Sequence, residues 1–296
     1  MGAININIIL NIVLGLIMFG LGLSISTSDV KNLFNQPRAL AIGLFSQMVL
    51  LPVIAWFIAG WAPVSNEIKV GIMILSVCPG GITSNLVSYF VKGNVALAIS
   101  LTVCNAFLSL FTIPILVNLF LEHFLQSGHA ISLPFWRTMF DIFIITILPA
   151  SVGVALNFKY HGIAHKAEKY LNFVLPILLL LVFAFKFLVG SDQGGTGMLA
   201  VEILKLAPWV IALNVLSMLL GFVAGYLFKL NFKNRITISV EVGLHNTALA
   251  LLIAGEKLAN HTMEKPALVY ALFSFFITFI IAWVMMRLAK KEALNA

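Results

Sequence analysis

Hydrophobic residues fill long runs of the chain, and short polar stretches separate each run from the next. A helix needs about 20 apolar residues to cross a hydrocarbon core of ~30 Å. Nine runs reach that length, at 4–26, 37–60, 67–90, 95–121, 135–157, 170–190, 204–229, 235–256 and 265–289. The pattern therefore predicts an all-α polytopic membrane protein with nine transmembrane helices.

The composition agrees with a single membrane domain that spans residues 1–296. Apolar residues make up 61% of the chain and charged residues 10%, whereas soluble domains carry roughly 25% charged residues. The net charge of +7 does not indicate nucleic-acid binding, because the basic residues stand singly in short connections. No obligate protein partner is indicated. Cys78 and Cys104 lie inside apolar runs, so we expect packing residues and no disulfide.

Basic residues in the connections predict the orientation in a cell membrane. One alternating set of connections and ends holds twelve of the 18 Lys and Arg residues, and the other set holds five. Because cytoplasmic connections are rich in Lys and Arg, the carboxyl terminus is predicted inside and the amino terminus outside. The first run is too long for a signal peptide and is expected to stay as a helix.

The predicted spans two to four resemble spans seven to nine in order and character. Gln47 precedes a glycine-rich interruption in the first copy, and Asn214 precedes Glu241 to Asn246 in the second. Copies separated by an odd number of spans enter the membrane in opposite senses. This is the inverted-repeat plan of secondary transporters, whose binding sites lie at the bilayer midplane on discontinuous helices.

The first interruption, Cys78-Pro79-Gly80-Gly81-Ile82-Thr83-Ser84-Asn85, lies in the middle of the third run. Proline followed by two glycines disfavours a continuous helix, so we expect the helix to unwind there. Freed carbonyls could hold a cation, and the next half-helix, with Thr83, Ser84 and Asn85, could hold an anionic solute. The alternative is a proline kink whose backbone groups are satisfied by neighbouring helices.

The second interruption, Glu241-Val242-Gly243-Leu244-His245-Asn246, places a carboxylate in the middle of the eighth run. A charge there costs several kcal/mol without a partner. Glu241 could ligate a cation, take up a proton, or form a structural hydrogen bond as a carboxylic acid. His245 would share a helix face with Glu241 and could exchange a proton with it, unless the helix ends at Gly243. The alternative for His245 is a packing residue.

Other polar residues allow two uses each. Gln47 and Asn214 carry amide oxygens that suit sodium, but amides also join helices to one another. Thr102 and Asn105 lie one turn apart in the fourth run, near the level of the first interruption, and the same alternatives apply.

Three further features predict structure rather than transport chemistry. Arg137 and Asp141 have the i,i+4 spacing of an ion pair. Lys186 lies near the end of its span, from which it can extend toward water. The Gly221 and Gly225 pair indicates close helix packing.

Several motifs, in order over nearly the whole chain, resemble those of the bile acid:sodium symporter family, and the chain is most similar to a bacterial member with nine helices. The motifs are Gly20-Leu21-Gly22-Leu23, Pro37-Arg38, Gln47, Cys78 to Asn85, Gly93-Asn94 and Glu241-Val242-Gly243-Leu244. The resemblance implies a core of inverted repeats with two crossed discontinuous helices, at 37–121 and 204–289. It also implies a panel, at 4–26 and 135–190, that moves against the core.

The resemblance further implies two sodium sites. Ser84, Asn85, Thr102 and Glu241 match one site. The other site matches Gln47, Glu241 and the backbone carbonyls of Val242 and Leu244, with His245 at a position where the family has glutamine.

This sequence departs from the family pattern at three positions. Ala98 stands where a serine ligand is expected, His245 replaces the glutamine, and Ile82 replaces a threonine that would help to hold a solute carboxylate. Imidazole nitrogen is a poor ligand for sodium, so a proton or a single sodium ion could drive transport instead.

We therefore predict a sodium-driven secondary active transporter, a symporter of a small organic anion such as pantoate, a keto acid or a bile-acid-like solute. Thr83, Ser84, Asn85 and Asn246 are the predicted substrate contacts. The alternatives are a proton-coupled transporter, or a uniporter or channel of the same fold. An enzyme is not expected, because the sequence lacks paired aspartates within its spans, HExxH and GxSxG.

Overall fold

The computed structural model describes residues 6–25, 35–125, 132–190 and 194–295, and every regular element in those ranges is helical. Short π-helical turns at Ser46–Leu50, Phe143–Ile147 and Leu252–Lys257 join or extend the α-helices. The α-helices are α1 (Ile6–Ser24), α2 (Pro37–Phe45), α3 (Leu51–Trp61), α4 (Asn66–Val77), α5 (Ile82–Phe90), α6 (Val95–Leu125), α7 (Phe135–Ile142), α8 (Leu148–Lys159), α9 (His161–Leu188), α10 (Ala200–Leu227), α11 (Phe232–Gly243), α12 (Thr247–Leu251) and α13 (His261–Asn295).

The prediction of an all-α polytopic membrane protein is confirmed. In the described residues, seven helical segments are long and apolar enough to span a membrane, and the bent pair α4 and α5 makes an eighth. The apolar helix at the start, Ile8–Ser24, is shorter, and residues 4, 5 and 26 of the first predicted run lie outside the described ranges. The count of nine spans therefore stays a prediction.

The sixth span begins earlier than its apolar run indicated. Helix α9 starts at His161 rather than at residue 170, and its first turns carry the exposed residues Lys166 and Lys169. A helix can continue beyond the hydrocarbon region with charged side chains, so hydropathy alone places such a start too late.

Helices α1, α8 and α9 pack together into a small bundle, which also includes α7 as the continuation of α8. Glycines bring α1 and α8 into backbone contact. A methyl group on Gly22 would overlap with the backbone of Ala150, and one on Gly153 would overlap with the backbone of Phe19. In lipid, where hydrophobic burial does not drive helix association, such close approach provides the van der Waals contact that holds helices together.

The other helices, α2 to α6 and α10 to α13, form a larger bundle around the two interruptions. Helix α10 packs on α11, where a methyl group on Gly221 would lie 2.9 Å from the Ile238 carbonyl and one on Gly225 would lie 3.1 Å from the Arg235 side chain. The predicted close packing at this glycine pair is confirmed. Helix α4 similarly lies against α13.

Two predicted arrangements of charge are wrong. Asp141 pairs with Lys257 of another helical segment at 2.8 Å, rather than with Arg137 one turn away. Lys186 does not extend toward water: its side chain is completely buried and lies 2.6 Å from the Glu264 carboxylate. In both cases a partner from the other bundle replaces the interaction that the local spacing predicted.

Candidate ion and solute site

The first interruption separates two helices. Helix α4 ends at Val77, α5 begins at Ile82, and the two helices are bent by 60° relative to each other. Cys78 has an extended backbone conformation, and residues 78–81 are buried. The predicted unwinding is confirmed, and the simple proline kink is excluded, because the residues between the helices lack helical hydrogen bonding.

The second interruption also separates two helices. Helix α11 ends at Gly243, and α12 begins at Thr247 after an extended stretch. The Asn246 side-chain oxygen accepts a hydrogen bond from the Leu249 amide at 3.0 Å and so caps α12. His245 lies beyond the end of α11, so it does not share a helix face with Glu241. The helix ends at Gly243, so the condition under which the i,i+4 spacing would have allowed proton exchange is not met.

The two interruptions contact each other directly. The Asn246 backbone amide donates a hydrogen bond to the Pro79 carbonyl at 2.7 Å. Gly80 lies against polar atoms of both segments. A methyl group on Gly80 would stand 2.8 Å from Glu241 Oε2, 3.1 Å from Ser84 Oγ and 3.4 Å from the Leu244 carbonyl oxygen. Oxygens from three different residues therefore converge on one point in the buried interior.

A carboxylate lies where the two interruptions meet. Glu241 has an exposed fraction of 0%, and Thr102 donates a hydrogen bond to its Oε2 at 3.0 Å. Thr102 Oγ1 also lies 3.4 Å from Asn85 Oδ1, and the Ser84 hydroxyl donates to the Gly81 carbonyl at 2.7 Å. Glu241 Oε1 has no hydrogen-bond partner in the described residues. The structure thus brings Ser84, Asn85, Thr102 and Glu241 together.

A hydrogen-bond network fixes the backbone where α11 ends. The Gly243 carbonyl accepts hydrogen bonds from Asn214 Nδ2, at 2.6 Å, and from the Tyr270 hydroxyl. Asn214 Nδ2 also lies 2.9 Å from Thr278 Oγ1. Asn214 therefore joins helices, which was one of its two predicted uses. Tyr270 is not among the predicted site residues, because its only signal in the sequence is a hydroxyl-bearing aromatic side chain inside the ninth run.

The second predicted ligand set shares Glu241 with the first. Gln47 lies in the π-helical turn after α2 and lines a small cavity with Val77 and Asn105. In the ranges that the structure covers, neither amide atom of Gln47 has a hydrogen-bond partner, and none joins it to Glu241. Val242 is buried in the last turn of α11.

His245 occupies the position of the expected glutamine. It is buried, its ring centroid lies 5.2 Å from that of Tyr270, and both ring nitrogens lack partners among the described residues. Ala98 is completely buried and contributes no oxygen atom. At these two positions the side chains therefore do not supply the oxygens expected of sodium ligands.

A cavity of about 790 Å³ lies between the small bundle and the larger one. Helices α1 and α8 line one side, and α2 and α6 line the other. Its walls are mostly apolar, and the polar or polarisable groups are Cys104, Thr146 and Ser151. The four predicted substrate contacts do not line it. Thr83 is exposed, Ser84 is buried, and Asn85 and Asn246 are half-buried.

The oxygen-bearing groups where the two interruptions meet suit a hard cation. Carboxylate, hydroxyl, amide and backbone carbonyl oxygens are the ligands that such ions prefer in proteins. A buried carboxylate with one unpaired oxygen is also costly without a positive partner. The residues present therefore fit a sodium ion next to Glu241.

A polytopic helical protein with two interrupted helices that contact each other around a buried carboxylate is consistent with the architecture of a secondary transporter. Comparison with known families supports the same conclusion. The chain belongs to the sodium bile acid symporter family, whose model matches residues 11–196. The family predicted from the motifs is confirmed.

Individual relatives match most of the chain. The uncharacterized sodium-dependent transporter YocS of Bacillus subtilis is 28% identical over 90% of this chain and 78% of its own length. The human hepatic sodium/bile acid cotransporter is 27% identical over 84% of this chain and 70% of its own. The probable sodium/metabolite cotransporter BASS1 of Arabidopsis thaliana chloroplasts is 25% identical over 93% of this chain, which spans 66% of that protein.

Proposed function

We propose that this protein is a secondary active transporter that couples the movement of a small organic anion to a sodium gradient. The observation that carries the proposal is the buried Glu241 carboxylate, held where two helix interruptions contact each other, with one oxygen unpaired in the described residues. Names of relatives, which include sodium/bile acid and sodium/metabolite cotransporters, support the same activity.

Ser84, Asn85, Thr102 and Glu241 hold the coupling sodium in this proposal. Their convergence near Gly80 supports it. A second sodium would use Gln47, Glu241 and the carbonyls of Val242 and Leu244, with His245 beside them. The imidazole of His245, a poor sodium ligand, favours one coupled sodium over two.

The anion binds next to the meeting point of the two interruptions, where Thr83, Ser84, Asn85 and Asn246 and the amino end of α5 offer hydrogen-bond donors. The mostly apolar cavity of about 790 Å³ supports a solute with a hydrophobic part next to its carboxylate. Pantoate, a keto acid and a bile-acid-like anion all have a carboxylate that these donors can hold, and they differ in apolar volume.

The two bundles of the fold suggest how access alternates. We propose that residues 37–121 and 204–289 form a core, and that residues 4–26 and 135–190 form a panel that rocks against it. The packing of α1 with α8 and α9 supports the panel. The protein lies in the cell membrane with its amino terminus outside and its carboxyl terminus in the cytoplasm, as the basic residues indicate.

Other activities give different results in one assay. A channel or uniporter of the same fold equilibrates solute without concentrating it, and a proton-coupled transporter responds to pH rather than to sodium. An enzyme would release a chemically altered product, and the family is one of transporters.

Uptake into proteoliposomes tests the proposal when sodium and pH gradients are imposed independently. Radiolabelled pantoate, a keto acid and a bile acid serve as probes, with the membrane potential clamped to zero. A tenfold sodium gradient is expected to concentrate one probe about tenfold if one ion is coupled, and about 100-fold if two are. Accumulation that follows only the pH gradient would instead establish proton coupling, and equilibration without accumulation would establish a channel.

His245→Gln is expected to strengthen the sodium dependence, because the carboxamide supplies the oxygen that imidazole lacks. The Hill coefficient for sodium should rise from about 1 toward about 2, since a second ion then gains a ligand. Sodium-titrated uptake measures this change. His123→Gln is the matched control, because His123 lies near the end of α6, where its ring contacts that of Trp56. Identical sodium curves for His245→Gln and the unmodified protein would remove His245 from the coupling mechanism.

A further inference from the structure

Polar contacts join the small bundle to the larger one at one end of the molecule. Each of three helical segments of the small bundle contributes one contact, and all three partners lie between residues 256 and 264. The pairs are Asn11 with Glu256 at 2.6 Å, Asp141 with Lys257 at 2.8 Å, and Lys186 with Glu264 at 2.6 Å. We call these six residues the clamp.

The pair formed by Lys186 and Glu264 is the most deeply buried part of the clamp. Both side chains have an exposed fraction of 0%. His261 Nδ1 lies 2.9 Å from the second carboxylate oxygen of Glu264, and the Thr196 hydroxyl donates to the Lys186 backbone carbonyl. Gly255 leaves room for the carboxylate, since a methyl group there would overlap with Glu264 Oε1. The surrounding residues are thus shaped around this ion pair.

The same two bundles are separated toward the other end of the molecule. Along α1, Asn11 belongs to the clamp, whereas Met18, Leu21 and Ile25 line the cavity. At 1.5 Å per residue, Ile25 lies roughly 20 Å farther along the helix axis than Asn11. The segment of α7 and α8 likewise has its clamp residue, Asp141, toward one end and a cavity residue, Phe158, toward the other. The bundles are therefore joined at one end and parted at the other.

We infer that the clamp is the gate that closes one end of the transport path. This inference rests on the proposed transport function, because alternating access requires the bundles to part at each end in turn. A buried ion pair suits such a gate. Its two charges stay together in a dry interface, and they separate only when water reaches both of them. The closed and open arrangements are then two distinct states rather than a continuous series.

Lys186→Met leaves the Glu264 carboxylate buried without its cation, so it favours the arrangement in which water reaches Glu264. Cys104 reports the result, because it lines the cavity; Cys78, which is buried, is replaced by alanine in every sample. A membrane-impermeant maleimide is applied to intact cells and to inside-out vesicles. The rate at which the maleimide labels Cys104 from the clamp end is expected to rise about tenfold relative to the protein with the unmodified pair. The rate of labelling from the cavity end is expected to fall.

Lys265→Met is the matched control, because it removes the cation of the ion pair between Lys265 and Glu202. This ion pair, at 2.5 Å, joins α10 to α13 inside the larger bundle, so its loss is expected to leave labelling of Cys104 unchanged. Asn11→Ala is a milder second variant, because Glu256 keeps its contact with Lys257 at 2.9 Å, and it should shift labelling in the same direction as Lys186→Met. Labelling that stays unchanged at both ends in both clamp variants would overturn the inference.

The labelling experiment needs neither an ion gradient nor a solute, so it separates the gate from the proposed function. If the clamp variants shift the labelling of Cys104 while the unmodified protein fails to concentrate any probe, the gate stands and sodium-driven symport fails. If uptake is driven by sodium and the labelling does not respond to the clamp variants, the symport stands and the gate fails.

Discussion

Glu241→Gln is expected to abolish sodium-driven accumulation while leaving the fold intact. Glutamine keeps the size of the side chain and can still accept the hydrogen bond that Thr102 donates at 3.0 Å. It removes the negative charge that stabilises a cation in this buried place. We expect sodium affinity to fall at least about 100-fold, which corresponds to about 3 kcal/mol. Gradient-driven uptake in proteoliposomes and sodium-dependent thermal stabilisation measure the loss.

Glu122→Gln provides the control for this experiment, because Glu122 is an exposed glutamate near the end of α6. Its uptake should match that of the unmodified protein. Elution from a sizing column and the unfolding midpoint without sodium show whether Glu241→Gln is folded. Full gradient-driven uptake by a folded Glu241→Gln protein would exclude this carboxylate from ion coupling.

The two interruptions were predictable because their causes are local. Pro79 lacks a backbone donor, and the glycines that follow it favour unfolded over helical conformations, so the end of α4 at Val77 follows from adjacent residues. The sequence did not decide whether the helix ends at Gly243 or continues, because a single glycine can occupy a membrane helix. The structure ends α11 there, and it adds two donors to the Gly243 carbonyl that come from distant helices.

The family resemblance, rather than the spacing of residues, predicts that four side chains form one site: Ser84, Asn85, Thr102 and Glu241. Periodicity places each residue on a helix, but it does not say which helices cross. The hydrogen bond from Asn246 to Pro79 joins segments that lie far apart in the chain. The role of Tyr270 could not be predicted for the same reason. Nothing near Tyr270 in the sequence indicates that its hydroxyl donates to the Gly243 carbonyl.

The charged residues show where local rules fail in a membrane protein. The local sequence offers each of two residues an ordinary interaction. Lys186 could extend its side chain to water, and Asp141 could pair with Arg137 one turn away. Both instead meet charged partners on the segment between residues 256 and 264. For Lys186, whose side chain is completely buried, an oppositely charged residue from another helix is the stronger partner, because Coulomb attraction grows as the local dielectric constant falls.

Lys186→Met alone is expected to destabilise the protein by about 3 kcal/mol, toward the lower end of the range of roughly 3–5 kcal/mol for breaking one partner of a buried pair. The cause is Glu264, which keeps its contact with His261 at 2.9 Å but loses the cation that neutralises it. Thermal and denaturant unfolding in detergent measure the change. Adding Glu264→Gln should recover most of the loss, because no unpaired charge then stays buried.

Lys265→Met separates burial from charge as the cause of that loss. Its partner Glu202 has a side-chain exposure of 36%, against 0% for Glu264, so water can solvate the carboxylate that is left. We expect a loss of less than about 1 kcal/mol, as for other exposed pairs. If Lys186→Met lowered the free energy of unfolding as little as Lys265→Met, water would already reach Glu264. The dry ion pair that closes the clamp end would then not exist. A large loss that the second substitution repairs would instead show that opening this end must bring water to both charges.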